Sequence, residues 1–123
     1  MPNRTISEVI HNQQMLSTDS SVSVHDAACR MAQENVGALL IIGDGRLQGI
    51  FTERDLLIRV VAAGRNIDTT RLDEVMTRNP QTIDTHRPFG HALHLMYDGG
   101  FRHLPVVENG RPVGVISIRD ALG

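Results

Sequence analysis

Residues 49–55 read GIFTERD and residues 114–120 read GVISIRD, so a glycine, a hydroxyl residue and an Arg-Asp pair recur 65 positions apart. The same shift places Gly45-Arg46 on Gly110-Arg111. It also places Ala27, Met31 and Leu39 on Ala92, Met96 and Leu104. The chain therefore consists of two tandem copies of one folding unit, and the quoted segment marks the same point in each copy.

The first copy has a hydrophobic pattern that changes its period along the chain. It alternates at first, then takes helical spacing, and then forms two short apolar runs around a Gly-Asp-Gly turn. The pattern predicts a strand at 22–24, a helix from Asp26 to Gly37, strands at 39–42 and 47–52, and a helix at 53–63 with Thr52 as its N-cap. The predicted order of elements is β-α-β-β-α.

The second copy repeats this order with stronger turn signals. It predicts a strand at 82–83, a helix at 89–98 ended by Gly99-Gly100, strands at 104–107 and 112–118, and a closing helix from Arg119. Asn109-Gly110 between the last two strands is typical of a tight β-hairpin. The closing helix is short or truncated relative to that of the first copy.

The two copies define the expected domain organisation. Repeat 1 spans residues 5–64, a polar linker spans 65–71, and repeat 2 spans 72–122. A linker of that length is too short for independent movement of the copies. We therefore expect them to pack as one body with pseudo-two-fold symmetry. The predicted fold class is α+β, a mixed α/β architecture of two β-α-β-β-α repeats.

The composition excludes several classes of protein. Lys plus Arg number 12 against 14 Asp plus Glu, and this balance argues against a basic nucleic-acid surface or a polybasic membrane patch. Aromatic residues make up 3%, too few for a platform that stacks single-stranded bases. The sequence has one cysteine, no signal-peptide pattern after Met1 and no apolar run that could span a bilayer. We expect a cytoplasmic protein without membrane or nucleic-acid partners.

The duplicated segment places a hydroxyl residue where a predicted strand ends and a predicted helix begins. Thr52 is followed three residues later by Asp55, and Ser117 by Asp120. Free backbone amides at the start of a helix favour an anion. The hydroxyl and a neighbouring arginine can bind phosphate, and the carboxylate can accept hydrogen bonds from ribose hydroxyls. The same pair fits a helix capping box, and the two roles are compatible.

This combination resembles the CBS domain, the module named after cystathionine β-synthase, in the tandem form of stand-alone bacterial-type CBS proteins. The resemblance rests on the two Gly-x-x-Thr/Ser-x-x-Asp segments, on residues 101–107 (FRHLPVV) and on residues 73–77 (DEVMT). It covers residues 5–122. It implies a regulatory module that binds adenosine-containing ligands, such as AMP, ADP, ATP, S-adenosylmethionine or NAD, in the clefts between the two repeats.

The resemblance also implies the binding residues by position. Asp55 and Asp120 would hold the ribose, and Thr52 and Ser117 would face the phosphate. The implied phosphate-side cations are Arg54, Arg119, Arg102 and His103, and the implied adenine walls are Thr82, Ile83, Leu104 and Pro105 with Ile50 or Val115. The first copy has Gly37-Ala38 where the second has Arg102-His103. We therefore expect one strong site near Arg102 or His103 and one weak or empty site.

Catalysis and metal binding have little support in the sequence. His91 and His94 have a metal-ligand spacing on a predicted helix, but its apolar face leaves them toward solvent. Cys29 is expected to be a small buried residue beside the apolar face, as cysteines often are, rather than a nucleophile, since no His or Asn is placed to activate it. No Walker or dinucleotide motif is present. The sequence predicts a non-enzyme with no metal site and no required cofactor.

Three functions remain open at this point. The first is nucleotide sensing, in which a homodimer with apolar contacts at Val60, Val61, Leu93 and Met96 acts on an unknown effector protein. The second is a protein-interaction or dimerisation scaffold whose ligand clefts are non-functional. The third is a histidine-based metal protein. A thermal-shift measurement separates the three functions. Adenosine nucleotides would raise the melting temperature of a nucleotide sensor, and zinc or nickel ions that of a metal protein. A scaffold would respond to neither.

Overall fold

The computed structural model describes residues 4–122 and confirms a mixed α+β fold with two sheets. In chain order the elements are α1 (Ile6–Ile10), β1 (Ser17–Thr18), α2 (Val24–Glu34), β2 (Ala38–Gly43), β3 (Arg46–Thr52), α3 (Glu53–Asp55), a π-helix (Leu56–Val61), α4 (Leu72–Val75), β4 (Thr77–Arg78), β5 (Ile83–Asp84), α5 (Phe89–Gly99), β6 (His103–Glu108), β7 (Arg111–Ser117) and a 3-10 helix (Ile118–Leu122). Within residues 4–122, none of the helices combines the length and the apolar character that a bilayer crossing requires.

The chain folds into two compact units. The first unit comprises residues Leu16–Pro80, and the second unit joins residues 4–15 to residues 81–122. The short helix α4, which opens the second sequence copy, thus belongs to the first unit, and α1 belongs to the second. The longest helix of each unit, α2 or α5, begins with an equivalent hydrogen bond from its first residue. The amide of Val24 donates to the Thr70 carbonyl at 2.9 Å, and the amide of Phe89 donates to the Arg4 carbonyl at 2.8 Å.

The first unit contains a four-stranded sheet in the order β1-β2-β3-β4. Strands β1 and β2 are parallel, whereas β2, β3 and β4 pair antiparallel. Gly49 is required where β3 meets β4, because a Cβ there would lie 2.8 Å from the Thr77 carbonyl oxygen. The buried core of the first unit comprises Val24, Ala27, Met31, Leu39, Ile41, Phe51, Val60, Leu72, Val75 and Met76.

The second unit contains a three-stranded sheet in the order β5-β6-β7. A side chain takes the place of a fourth strand. Gln13 donates through Nε2 to the Val115 carbonyl at 2.7 Å and accepts from the Val115 amide through Oε1 at 2.8 Å. The buried core of the second unit comprises Ile6, Ile83, Phe89, Ala92, Met96, Leu104, Val106 and Ile116.

Both hairpins turn as the sequence predicts. Asp44 and Gly45 have φ values of 54° and 75°, and Asn109 and Gly110 have values of 53° and 79°. Two successive residues with positive φ are the pattern of the tight hairpin turn whose twist matches that of the flanking strands. The turns fix the register that brings Ala38 opposite Thr52 in the first unit.

The opening strand of the first copy lies earlier than predicted. The structure places it at Ser17–Thr18, parallel to β2, and the predicted strand 22–24 is wrong. Val24 is instead the first residue of α2, because the Ser23 side chain accepts the Asp26 amide and caps that helix. The alternation of valines around Ser23 reflects core packing of the helix start rather than a strand.

The helix after β3 begins at Glu53 as predicted and ends at Val61, two residues before the predicted end, and part of it is a π-helix. Three α-helical residues are followed by a π-helix over Leu56–Val61.

Of the four apolar residues expected at a homodimer contact, Val60 and Met96 are 0% and 1% exposed and belong to the cores of their units. Leu93 also packs against the core, whereas Val61 is 60% exposed.

Candidate functional site

The first loop, residues 52–55, forms at the end of β3 with its hydroxyl and carboxylate in direct contact. The Asp55 carboxylate accepts the Thr52 amide at 3.0 Å and the Thr52 hydroxyl at 3.1 Å, both on Oδ2. The Asp55 amide donates to the Thr52 hydroxyl at 3.2 Å. The side chain of Asp55 is 13% exposed. The loop is therefore a complete capping box that holds a carboxylate at the start of the helix.

The second loop, residues 117–120, repeats this arrangement in part. The Asp120 carboxylate accepts the Ser117 amide at 2.8 Å, and the Arg119 amide donates to the Ser117 hydroxyl at 3.2 Å. A short 3-10 helix, Ile118–Leu122, begins directly after Ser117 and includes the rest of this loop. Because the hydroxyl serves a different amide here, the Ser117 and Asp120 side chains are less tightly linked than their counterparts in the first loop.

The backbone amides of the two loops are more engaged than the sequence predicts. Glu53 donates to the Gly37 carbonyl at 3.0 Å, and Ile118 donates to the Arg102 carbonyl at 2.9 Å. The amides of Asp55 and Arg119 are bonded to the loop hydroxyls. The expectation of free amides is therefore wrong for these four groups.

The strand next to each loop carries the asymmetry that the sequence predicts. In the second unit His103 lies opposite Ser117, and Arg102 precedes it. In the first unit Ala38 lies opposite Thr52, and Gly37 precedes it. The second loop thus has a histidine at the start of the neighbouring strand and an arginine just before it, where the first loop has an alanine and a glycine.

The predicted wall residues are largely buried in their own units. Ile83 is 4% exposed, Leu104 is fully buried, and Ile50 is 5% exposed. Pro105 is buried opposite Val115 in the hairpin. Thr82 is half-buried and immediately precedes β5. Their assignment to an adenine pocket stays a prediction.

Two arginines that sequence reasoning missed contact the loops. Arg59 places Nε 3.5 Å from Asp55 Oδ1 in the first loop. Arg4 donates through Nη2 to the Asp120 carbonyl at 2.8 Å in the second loop, and its guanidinium lies 4.6 Å from the Phe89 ring centroid. The i,i+4 spacing of Asp55 and Arg59 was a usable sequence signal, whereas nothing local marks Arg4.

An open depression of about 620 Å³ lies elsewhere in the first unit, beside the β2–β3 turn. Its lining is mostly polar and comprises Ser20, Gly43, Asp44, Arg46, Leu47, Gln48, Asp73, Met76, Arg78 and Asn79. None of the predicted site residues lines this depression. It is therefore separate from the loop at Thr52.

His94 and Cys29 are exposed, whereas His91 and His103 are half-buried. His94 pairs with Asp98 at 3.0 Å, one turn along α5, and is 69% exposed. Cys29 is exposed, so its expected burial is wrong. The buried face of α2 is formed by Val24, Ala27 and Met31, and Cys29 lies two residues from Ala27, on another side of the helix. Residues 4–122 contain no group of three or more His, Cys, Asp or Glu side chains arranged for a metal ion.

The fold and the paired loops define a class: a tandem α+β repeat in which each copy carries a hydroxyl and a carboxylate at a strand-to-helix junction. The family model of the CBS domain matches residues 6–62 and 72–123. The chain therefore belongs to the CBS domain family and carries the domain twice. CBS domain pairs are typically regulatory modules, and the sequence-based assignment to this family is confirmed.

Relatives and solved structures agree with this assignment. A CBS domain-containing protein of Arabidopsis thaliana is 36% identical over 108 residues, which cover 87% of this chain but 20% of that protein. The chain thus spans about a fifth of the length of this relative. The crystal structure of a CBS-domain containing protein from Agrobacterium tumefaciens has a TM-score of 0.88 at 30% identity and covers 97% of both chains.

A CBS domain protein from Pyrobaculum aerophilum was crystallised in complex with AMP. Its structure has a TM-score of 0.86 and 26% identity to this chain, and the match covers 95% of this chain and 89% of that one. A protein of the same fold thus binds an adenosine nucleotide.

Proposed function

We propose that this chain is a non-catalytic regulatory module that binds adenosine nucleotides through its two hydroxyl–carboxylate loops. The observation that carries the proposal is the duplicated loop itself, in which Asp55 and Asp120 sit three residues after Thr52 and Ser117 at the same structural point. The AMP complex of the Pyrobaculum aerophilum protein supports the choice of ligand. AMP, ADP, ATP, S-adenosylmethionine and NAD share the adenosine group that such a loop would recognise.

Each loop supplies the donors and acceptors that a ribose phosphate requires. A carboxylate that accepts one or two internal hydrogen bonds retains lone pairs for the two ribose hydroxyls. The arginine after the loop hydroxyl, Arg54 or Arg119, would donate to the phosphate, and so would the Ser117 hydroxyl. The Thr52 hydroxyl would donate to it after turning its single proton away from Asp55 Oδ2. Each charge-assisted hydrogen bond contributes roughly 1.5–3 kcal/mol when it is well formed.

The two loops would bind with different affinities. Arg102 and His103 flank Ser117, whereas Gly37 and Ala38 flank Thr52. A single additional phosphate contact of about 1.4 kcal/mol changes a dissociation constant about tenfold. We therefore place the stronger site at the second loop.

Titration calorimetry with AMP, ADP and ATP tests the function directly. The parent protein should bind with two unequal affinities, Asp120→Ala should remove the stronger one, and Asp55→Ala the weaker one. Asp98→Ala, which removes an exposed carboxylate on α5, is the matched control and should leave both unchanged. Absence of binding by all three nucleotides would overturn the proposal and favour the scaffold function, in which the loops serve only as caps.

Self-association is a second proposed property, and an exposed apolar surface supports it. Leu57, Ile58 and Val61 on the π-helix are 61%, 51% and 60% exposed. Three neighbouring exposed aliphatic side chains favour contact with a second copy of the chain. Leu57→Glu should convert a dimer to a monomer in light scattering, and an unchanged mass would contradict this contact.

A further inference from the structure

Arg59 connects the first loop to the end of a short helix in the same unit. Its Nη1 donates to the Val75 carbonyl at 3.2 Å and to the Met76 carbonyl at 3.1 Å. Its Nε lies 3.5 Å from Asp55 Oδ1. One guanidinium thus contacts a loop carboxylate on one side and two backbone carbonyls on the other.

The carbonyls that Arg59 contacts belong to a helix end that needs donors. Helix α4 ends at Val75, and Met76 follows it as the C-cap residue. The last carbonyls of a helix have no intrahelical donor. A planar guanidinium with several donors in fixed positions can serve two such carbonyls and a carboxylate together, which a lysine ammonium cannot do with the same geometry.

The two oxygens of Asp55 have different partners. Oδ2 already accepts both the amide and the hydroxyl of Thr52. Oδ1 accepts neither of these bonds and lies 3.5 Å from Arg59 Nε. A ribose hydroxyl that approaches the loop would therefore meet Oδ1, the oxygen that Arg59 faces. A ligand that displaces Oδ1 would also change the position of Arg59 and its hydrogen bonds to the Val75 and Met76 carbonyls.

We propose that Arg59 is a positioning residue that orients the Asp55 carboxylate for ribose and couples occupancy of the first loop to the end of α4. This inference rests on the proposed function. Thermodynamic linkage makes the coupling reciprocal, so a ligand at Asp55 alters the stability of the segment 72–78, and a change in that segment alters ligand affinity. The segment continues into β4, which pairs with β3 at Ile50 and Gly49. The first loop and its sheet edge thus respond together.

The experiment uses the whole 123-residue chain carrying Asp120→Ala, so that only the first loop binds AMP. Arg59→Met keeps the aliphatic stem and removes the guanidinium, and Arg59→Lys keeps the charge. Arg65→Met is the matched control, because Arg65 also contacts α4, through Glu74 at 3.3 Å, but does not contact Asp55. Calorimetry measures AMP affinity, and amide hydrogen exchange at saturating AMP measures protection of residues 72–78.

We expect Arg59→Met to weaken AMP binding about three- to tenfold, a modest factor because Arg59 is half exposed. AMP should change exchange at residues 72–78 in the Asp120→Ala protein and in Arg65→Met, and this change should disappear in Arg59→Met. Arg59→Lys should recover part of the affinity but not the exchange response.

The outcomes separate the two proposals. AMP binding that is as tight in Arg59→Met as in its Asp120→Ala parent overturns the role of Arg59 and leaves the proposed function intact. An exchange response that survives in Arg59→Met, or is lost equally in Arg65→Met, overturns the coupling. Absence of binding by AMP, ADP and ATP in both the original chain and the Asp120→Ala protein overturns the proposed function and this inference with it.

Discussion

Replacing Asp55 should lower stability and nucleotide response by separate amounts. In Asp55→Ala, the Thr52 amide and hydroxyl lose their acceptor at 3.0 Å and 3.1 Å, and Arg59 loses its carboxylate. Loss of a capping interaction together with a charged acceptor costs about 1–2 kcal/mol for a mostly buried group. For a chain of this size the melting temperature should fall by about 4–8 °C without ligand. The protein should stay folded, because native stabilities are typically about 5–15 kcal/mol.

Scanning calorimetry measures both the melting temperature without ligand and its increase when AMP is added, which is the nucleotide response. AMP at about 100 times its dissociation constant stabilises the folded protein by about 2.7 kcal/mol for one occupied site. Asp55→Ala should lose the contribution of the first loop and keep that of the second. Asp55→Asn is the informative control, because its side-chain oxygen can still accept the Thr52 amide. It should keep most of the stability and lose only the contribution of the first loop to the nucleotide response.

Two results would refute this reasoning. An unchanged melting temperature in Asp55→Ala without ligand would mean that the capping box contributes no stability. An AMP-induced shift of full size in the double variant Asp55→Ala/Asp120→Ala would mean that neither carboxylate holds the ribose, and the site would have to lie elsewhere.

Three further predictions concern other contacts. Gln13→Ala removes both hydrogen bonds to Val115 and should lower the free energy of unfolding in urea by about 1–2 kcal/mol, whereas exposed Gln14→Ala should change it by less than about 0.5 kcal/mol. Arg102→Ala should weaken AMP binding about tenfold at the second loop only, and equal weakening at both loops in calorimetry would contradict the predicted asymmetry. The amide of Arg71 holds the pKa of Glu74 below its ordinary value of 4.5. Ionised Glu74 therefore stabilises the fold above pH 4.5, and this contribution is lost as the pH falls through the lower pKa of the folded state. The urea midpoints of Glu74→Gln and the parent protein should differ at neutral pH and converge in acid.

The duplication made most of the fold predictable, and it could have corrected the main error. The predicted strand at 82–83 overlaps β5, in which Ile83 pairs with Val106. Subtracting 65 positions from Ile83 gives Thr18, which lies in β1 and pairs with Ile41. Thr18 is polar where Ile83 is apolar, so hydrophobicity alone did not mark it. The internal alignment carried the information that the local pattern lacked.

The candidate site was predictable in its loops and less so in their surroundings. The positions of Thr52, Asp55, Ser117 and Asp120 at the strand-to-helix junctions followed from spacing alone. The engagement of the loop amides did not, because their partners include the carbonyls of Gly37 and Arg102, which immediately precede β2 and β6. Cys29 was assigned to the interior on residue type, whereas the helical phase set by Ala27 and Met31 places it outside.

By itself, the sequence determined the two copies, most of their elements and the paired hydroxyl and carboxylate. Hydrophobic periods and caps are relations between residues close along the chain, and a repeat is found by comparing the sequence with itself. Only the tertiary structure brought Arg59 to Met76, Gln13 to Val115 and Arg4 to Asp120, across separations of 17, 102 and 116 residues. Such contacts depend on how the buried faces pack, since packing decides which distant side chain comes within hydrogen-bonding reach.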